Sequence, residues 1–203
     1  MRLRILHLEN FRNYSKFDFE FPESDTLILT GKNGEGKTNF LEAVHLLALT
    51  KSFRARKSET LIQWGKDYFR VQAELDQDGI KLEQCVVQTP KKQKAFKRNN
   101  VAIPREKFLG HIRTVLFRPE DLNMLVLEPS LRRRYLNSIF IQTMPSGLET
   151  LQKYQQILLQ RNALLQSRSL STIDLWDEKL CEEGEKIQNA RIAFMEFLES
   201  RLE

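Results

Sequence analysis

Polar and hydrophobic residues alternate through the first twenty residues of this 203-residue chain. Over residues 1–9, Leu3 and Ile5 fall on one side and Arg2 and Arg4 on the other, with Leu6 and Leu8 blurring the end. A period of two predicts a strand. Residues 10–14 read as a polar turn. Phe17, Phe19 and Phe21 then alternate with Asp18 and Glu20, which predicts a second strand with one buried face. After a turn at residues 22–25, the apolar run 26–29 predicts another strand, ending at Thr30. The period then lengthens. Phe40, Leu41, Val44, Leu46, Leu47 and Leu49 surround a predicted helix over residues 39–49. A helix that is apolar nearly all round is buried on more than one face. A short amphipathic helix is expected over residues 58–64, stopped by Gly65.

Two further strands, residues 68–75 and 80–88, flank a hairpin turn at Asp76-Gln77-Asp78-Gly79. Thr89-Pro90 breaks the pattern. Residues 91–98 and 101–103 flank Asn99-Asn100, a dipeptide that tolerates positive φ. Together these predict a β-meander. One more strand is expected at residues 113–117, and Arg118-Pro119-Glu120-Asp121 opens a short helix. No strand signal follows Pro129. Residues 130–144 predict a helix and Pro145-Ser146-Gly147 a turn. Leu151, Leu158 and Leu165 recur every seven residues, as do Ile173, Leu180, Ile187 and Phe194. Trp176, Ala190 and Phe197 are offset by three, and Glu183 is the mismatch in that register. Such seams predict an antiparallel helical hairpin joined through residues 167–171. A boundary between an α/β lobe and a helical lobe is placed near residues 125–128, giving domains 1–126 and 127–203.

Composition narrows the class. A hydrophobic content of 41% is that of a globular chain. No stretch reaches the apolar length of a membrane span, and the first residues lack a signal-peptide core. Cys85 and Cys181 show no metal or redox spacing, so a cytoplasmic protein with reduced thiols is expected. The net charge of +5 hides an asymmetry: residues 172–203 hold nine acidic and four basic residues, which leaves the rest strongly basic. That suits a polyanion-binding body with an acidic C-terminal helix.

The chemistry concentrates at residues 31–38, G-K-N-G-E-G-K-T, which match the P-loop pattern G-x-x-x-x-G-K-[ST]. Gly31, Gly34 and Gly36 let the backbone turn its N–H groups into a concave anion nest. The helix that follows points its positive end at the same place. Lys37 supplies a mobile cation for terminal phosphates. The Thr38 hydroxyl is an oxygen ligand suited to Mg²⁺. Lys32, Asn33, Glu35 and Asn39 complete the expected nucleotide-phosphate-binding segment.

Basic residues cluster elsewhere. Lys51, Arg54, Arg56 and Lys57 share one loop, and Lys91, Lys92, Lys94, Lys97 and Arg98 surround the meander hairpin. Both are DNA-binding candidates, since clustered cations bind phosphates through counterion release. Arg132, Arg133 and Arg134 are weaker candidates, because consecutive helical residues spread around the helix. No element reads as a base-reading motif, so backbone- and shape-based binding to duplex DNA is expected.

Several segments resemble the RecF, Rad50 and SMC class of ATPases: N-F-R-N-Y at residues 10–14 and G-K-N-G-E-G-K-T-N-F-L-E-A-V at 31–44. Others are similar to the RecF family in particular: K-S-F-R at 51–54, L-F-R-P-E-D-L at 116–122, P-S-L-R-R-R-Y-L-N at 129–137, Q-R-N-A-L-L at 160–165 and W-D-E-K-L at 176–180. They follow in order across nearly the whole chain. The resemblance implies an α/β fold: a P-loop ATPase lobe of the ABC/SMC type, with a mixed sheet and antiparallel β-meander, followed by an all-α helical lobe. It implies that Arg12 and Asn13 lie near the nucleotide, and that Arg54 sits in a loop linking DNA contact to hydrolysis. Glu120 and Asp121 fall where relatives carry a metal-sensing glutamine, which is absent here.

The same resemblance implies ATP and Mg²⁺ as cofactors, an ATP-dependent homodimer, and RecR-like and RecA-like partners. The implied role is ATP-dependent DNA binding in recombinational DNA repair and replication, within the SOS response to DNA damage. The chain contains no L-S-x-G-Q-like signature and no Walker B run. In the family both follow the helical lobe. The chain is therefore expected to be the N-terminal part of a longer protein, C-terminally incomplete, which binds nucleotide and hydrolyses it poorly. No residue is assigned a catalytic role. One alternative is a non-catalytic DNA- or protein-binding module with a vestigial nucleotide site. Another is a different SMC-like P-loop ATPase. A GTPase is disfavoured by the lack of an N-K-x-D motif, and a kinase by the lack of any acceptor-site signal.

Overall fold

The computed structural model describes residues 1–89, 92–126, 129–168 and 170–202. The alternating N-terminal residues form β1 (Arg2–Phe11) and β2 (Tyr14–Glu20), paired antiparallel from Ile5↔Glu20 to Phe11↔Tyr14. The hairpin matches expectation, but its phase differs. A bulge in the β1 pairing between Leu3 and Ile5 lets Leu3 join Leu6, Leu8 and Phe11 on the core side. An inserted residue reverses the alternation, so Leu3 and Ile5 do not share a face.

The Phe17, Phe19 and Phe21 row packs on one ring. Their centroids lie 6.4, 5.2 and 5.8 Å from Phe40. Phe40 belongs to α1 (Lys37–Leu49), which buries Phe40, Glu42, Ala43, Leu46, Leu47 and Ala48. Each such aromatic pair adds about 1 kcal/mol beyond burial. The β2 face therefore fixes where α1 begins.

The meander is β3 (Phe69–Gln77), β4 (Ile80–Thr89), β5 (Lys92–Arg98) and β6 (Val101–Ile103). The sheet order is β2-β1-β3-β4-β5-β6. Every strand pairing among the described residues is antiparallel. Asp78 and Gly79 take φ 54 and 84°, and Asn99 and Asn100 take 47 and 63°. Positive φ at both central residues defines the turn that matches strand twist. Phe69, Val71, Ala73 and Leu75 alternate onto the same core as α1. A one-turn helix, α2 (Arg105–Phe108), adds Phe108 to it.

Three expected elements are absent as such. Residues 26–30 and 113–117 are not strands: neither joins the sheet, Ile28 is 77% exposed and Val115 81%. An apolar run only specifies extended backbone; a strand also needs a neighbour for its N–H and C=O groups. Residues 58–64 form not an amphipathic helix but a single 3₁₀ turn, Ser58–Leu61, with Trp64 exposed. Ile62 pairs instead with Phe11 at the end of β1, which draws the chain into extended form.

The chain divides into two units, Met1–Leu116 and Phe117–Glu203. The second comprises a 3₁₀ turn (Pro119–Leu122), α3 (Asn123–Val126), α4 (Pro129–Thr143), α5 (Gly147–Ser167) and α6 (Ile173–Glu199). Helices α5 and α6 form the expected hairpin, but Leu165 and Phe197, expected in the seams, are exposed where the helices end. Ile187 is buried in the seam, and Glu183 occupies its place in the repeat, buried beside Lys186 at 2.8 Å. Arg161 pairs with Asp177 across the two helices. Gly147 is required at the α4–α5 corner, where a Cβ would lie 2.5 Å from the Phe140 carbonyl. Among the described residues, no helix is long and apolar enough to cross a membrane.

Candidate functional site

The glycine loop lies between α1 and the extended run 26–30, of which Leu29 alone packs against the core. Gly31, Gly34 and Gly36 have φ of 144, 90 and 112°, backbone that side-chain-bearing residues rarely adopt. Gly36 is also crowded: a Cβ there would stand 2.8 Å from the Tyr14 hydroxyl and 2.9 Å from Asn13 Nδ2. It is the N-cap of α1, without a side-chain cap, and the first helical turn has no acidic residue. The opening N–H groups of any helix lack intrahelical partners. Here they are left available to an anion, at the positive end of the helix.

Lys37 is held by the loop it serves, its Nζ donating to the carbonyls of Gly31 at 2.5 Å and Lys32 at 2.6 Å. Glu35 folds back across the loop and accepts from the Lys32 N–H at 2.8 Å. Thr38 and Asn33 are exposed, Thr38 on the first helical turn.

The segment 10–14 closes over this loop. Asn13 Nδ2 donates to the Glu35 carbonyl at 3.2 Å, and the Tyr14 hydroxyl to the Gly36 carbonyl at 3.2 Å. Asn39 Nδ2 donates to Asn13 Oδ1 at 2.8 Å, and Arg54 reaches Asn39 at 3.4 Å. Asn13, Asn39 and Arg54 thus meet at the loop. Arg12 does something else. It sits at φ 55° and donates from two nitrogens to both Glu42 oxygens at 2.8 Å and to the Thr60 carbonyl at 3.0 Å.

Glu42 is fully buried. Its carboxylate also accepts from the Ser52 hydroxyl, whose oxygen in turn accepts from the N–H groups of Arg54 and Ala55 at 2.9 and 2.7 Å. Burial by itself raises the Glu42 pKa. Hydrogen bonds from Arg12 and Ser52, with the charges of Arg12 and Arg54, outweigh it and hold the carboxyl below its usual value. One ionised carboxylate therefore ties the segment over the P-loop to the loop after α1. The sequence reading missed it, although a lone carboxylate on an apolar helix is a readable signal.

A second cluster lies at the other end of α1. An open cavity of about 830 Å³ is lined by Lys51, Arg56, Lys57, Lys94 and Arg105, together with Thr50, Glu59 and neighbours. Lys94 Nζ donates to the Thr50 carbonyl at 2.7 Å, and Arg105 Nε to the Thr50 hydroxyl at 2.6 Å. Desolvation, then Arg105 and Lys51, push the Lys94 pKa down to about 8. Lys51 is an exposed residue, yet desolvation of its ammonium and then Arg105 lower its pKa too.

The two basic clusters of the sequence are thus redistributed. Lys94 joins the 51–57 loop. Lys97 lies on the opposite face of β5, because side chains alternate along a strand. Arg98 donates to the Lys107 carbonyl, and burial lowers its pKa. Lys91 lies outside the described residues, as does the Lys92 side chain. Arg105 carried no signal in the sequence. In the second unit, Asp121 accepts from the Arg118 N–H at 2.9 Å and from its guanidinium at 2.6 Å, an N-terminal cap. Glu120 makes no such bond. Arg132 donates to the Met124 carbonyl at 3.2 Å.

The AAA domain family matches residues 6–195. The chain belongs to that family. Within it, the chain is 34% identical over 203 residues to the DNA replication and repair protein RecF of Geotalea uraniireducens (strain Rf4), covering all of this chain and 55% of the relative. It is 36% identical over 208 residues to RecF of Synechococcus sp. (strain JA-3-3Ab), covering 98% of this chain and 54% of the relative. It spans about half the length of these RecF relatives. A solved recombination mediator protein RecF, described as RecF-ATPrS in the RecFOR pathway, superposes with TM-score 0.89 at 32% identity, over 96% of this chain and 54% of that one. An SMC ATPase superposes with TM-score 0.55 at 20% identity, over 68% and 99%, a likeness of fold. The expected resemblance to the N-terminal part of RecF, and the P-loop ATPase fold class with a helical lobe, are what these comparisons show.

Proposed function

We propose that this AAA domain chain binds ATP with Mg²⁺ through residues 31–39, and DNA through the cations around the end of α1. On this reading it belongs to a RecF-type protein of recombinational DNA repair and replication. One observation carries the nucleotide assignment: three positive-φ glycines lead into an uncapped helix start beside a lysine fixed on the loop carbonyls. The amides of residues 34–38 and the Lys37 ammonium hold phosphates. Asn13 and Tyr14 keep Gly36 in place beneath them. Thr38 supplies one hydroxyl oxygen. Mg²⁺ prefers oxygen ligands and commonly takes phosphate oxygens and waters beside one or two from protein.

A RecF structure described as RecF-ATP, at 32% identity, supports the nucleotide reading. The intact protein, on this reading, is cytoplasmic and forms an ATP-dependent homodimer that works with RecR-like and RecA-like proteins on duplex or gapped DNA. Arg54 links the DNA-facing loop to Asn39 and the P-loop. Phosphoryl transfer needs a positioned water and further charge stabilisation, so this chain alone binds ATP and turns it over poorly. Titration of a fluorescent ATP analogue tests the assignment. Lys37→Ala should weaken binding at least tenfold; equal binding by the variant rules the P-loop out.

A further inference from the structure

We infer that the cavity bounded by Lys51, Lys94 and Arg105, at the C-terminal end of α1, is a seat for a backbone phosphate of DNA. This deepens the DNA-binding reading and rests on it. Three observations lead there. First, like charges converge. Lys94 and Arg105 are both anchored on Thr50, Lys51 follows Thr50 directly, and each lysine feels the guanidinium of Arg105. Among the described residues none of the three has a carboxylate partner within ion-pair distance. Glu59 is the acidic residue of the lining, and Glu106 follows Arg105.

Second, the fold accepts a penalty to keep them together. Lys94 and Arg105 are half-buried without an ion-pair partner among the described residues, and Glu106 offsets only part of the cost at Arg105; the depressed Lys94 pKa reports that cost. Two cations on the α1 C-terminus complement the helix dipole, but that role needs neither the third cation nor the open cavity. An anion seated among them removes the repulsion. Strongly perturbed charges lining a cavity mark functional sites.

Third, the place suits a polymer rather than the nucleotide. Helix α1 has 13 residues and so is about 20 Å long, and Lys94 and Arg105 are held on Thr50, at the end of it opposite the P-loop. Arg56 and Lys57 are exposed on the same lining, as a chain of phosphates entering and leaving the seat requires.

The test is fluorescence polarisation of labelled duplex DNA against the full chain over a salt series. Lys51→Gln is the main variant, since among the described residues its side chain holds no hydrogen bond or ion pair. Arg105→Lys, which keeps charge but loses the planar donor set, and Lys97→Gln, on the other face of β5, accompany it. Lys51→Gln should weaken binding several-fold and lower the salt slope by about one. Arg105→Lys should fall between, and Lys97→Gln should match the parent. A parent that binds DNA with a Lys51→Gln variant equal to it in affinity and slope overturns the seat alone. A parent that binds no DNA at any salt overturns the DNA reading with it. The ATP analogue separates the other source of phosphate: Lys51→Gln should bind it as the parent does. Lost analogue binding with unchanged DNA binding would assign the cavity to nucleotide and overturn the inference.

Discussion

The two ends of α1 are both positively lined, and they are built in different ways. At the N-terminal end, backbone does most of the work. Glycine angles, an uncapped helix start and one lysine build the proposed anion site from eight consecutive residues. At the C-terminal end, side chains do it. Lys51, Lys94 and Arg105 come from a loop, a strand and a one-turn helix, gathered on Thr50. The backbone site works with the helix dipole, whereas the side-chain site sits where the dipole is negative and must anchor cations to exist. The proposed phosphate nest is therefore local, while the cation cluster depends on the whole meander being folded.

Glu42 stands between them, and its removal tests whether the ends are mechanically joined. Glu42→Ala leaves Arg12 and Ser52 without their shared acceptor, and breaking such a buried pair costs about 3 kcal/mol. Chemical denaturation should show that loss, and binding of both the ATP analogue and DNA should weaken together. Loss at one end only would break the link. The pH sign is fixed by the lowered Glu42 pKa. This stabilisation is complete above the unfolded carboxylate pKa and disappears as pH falls through the folded value. The variant should therefore lose less stability than the parent in acid.

A smaller effect is expected at the N-terminal end alone. Gly36→Ala must hold φ 112° with its Cβ against Tyr14 and Asn13, a cost of about 1–3 kcal/mol. Analogue binding should fail while DNA affinity holds. Equal loss of both would show that the cation cluster also depends on the loop.

The smallest effect belongs to the C-terminal end. The Lys94 pKa of about 8 means that the free fold loses this charge as pH rises through that value. Phosphate favours the charged form, so binding takes up a proton. DNA affinity should fall modestly from about pH 7 to about pH 9, a window in which Arg105 stays charged. Desolvation and then Arg105 depress Lys51 in the same direction. Lys94→Gln should flatten the profile; an unchanged slope would remove Lys94 from the seat.

The sequence by itself determined whatever depends on neighbours along the chain. The P-loop angles follow from three glycines at fixed spacing, the two hairpin turns from Asp78-Gly79 and Asn99-Asn100, and the α5–α6 seam from a seven-residue repeat. Tertiary structure decided the rest. Residues 26–30 and 113–117 carry strand composition, yet pairing needs a partner that composition does not supply. A bulge of one residue in β1 put Leu3 rather than Ile5 beside Leu6. Asn13 and Arg12, adjacent in sequence, diverge because a positive φ at Arg12 sends one to the glycine loop and the other to Glu42. Arg105 reached Lys94 only through the β5–β6 turn and α2. The reason is the same in each case: hydrogen bonds and turn angles are satisfied locally, while burial and charge depend on which distant groups the packed chain brings within a few ångströms.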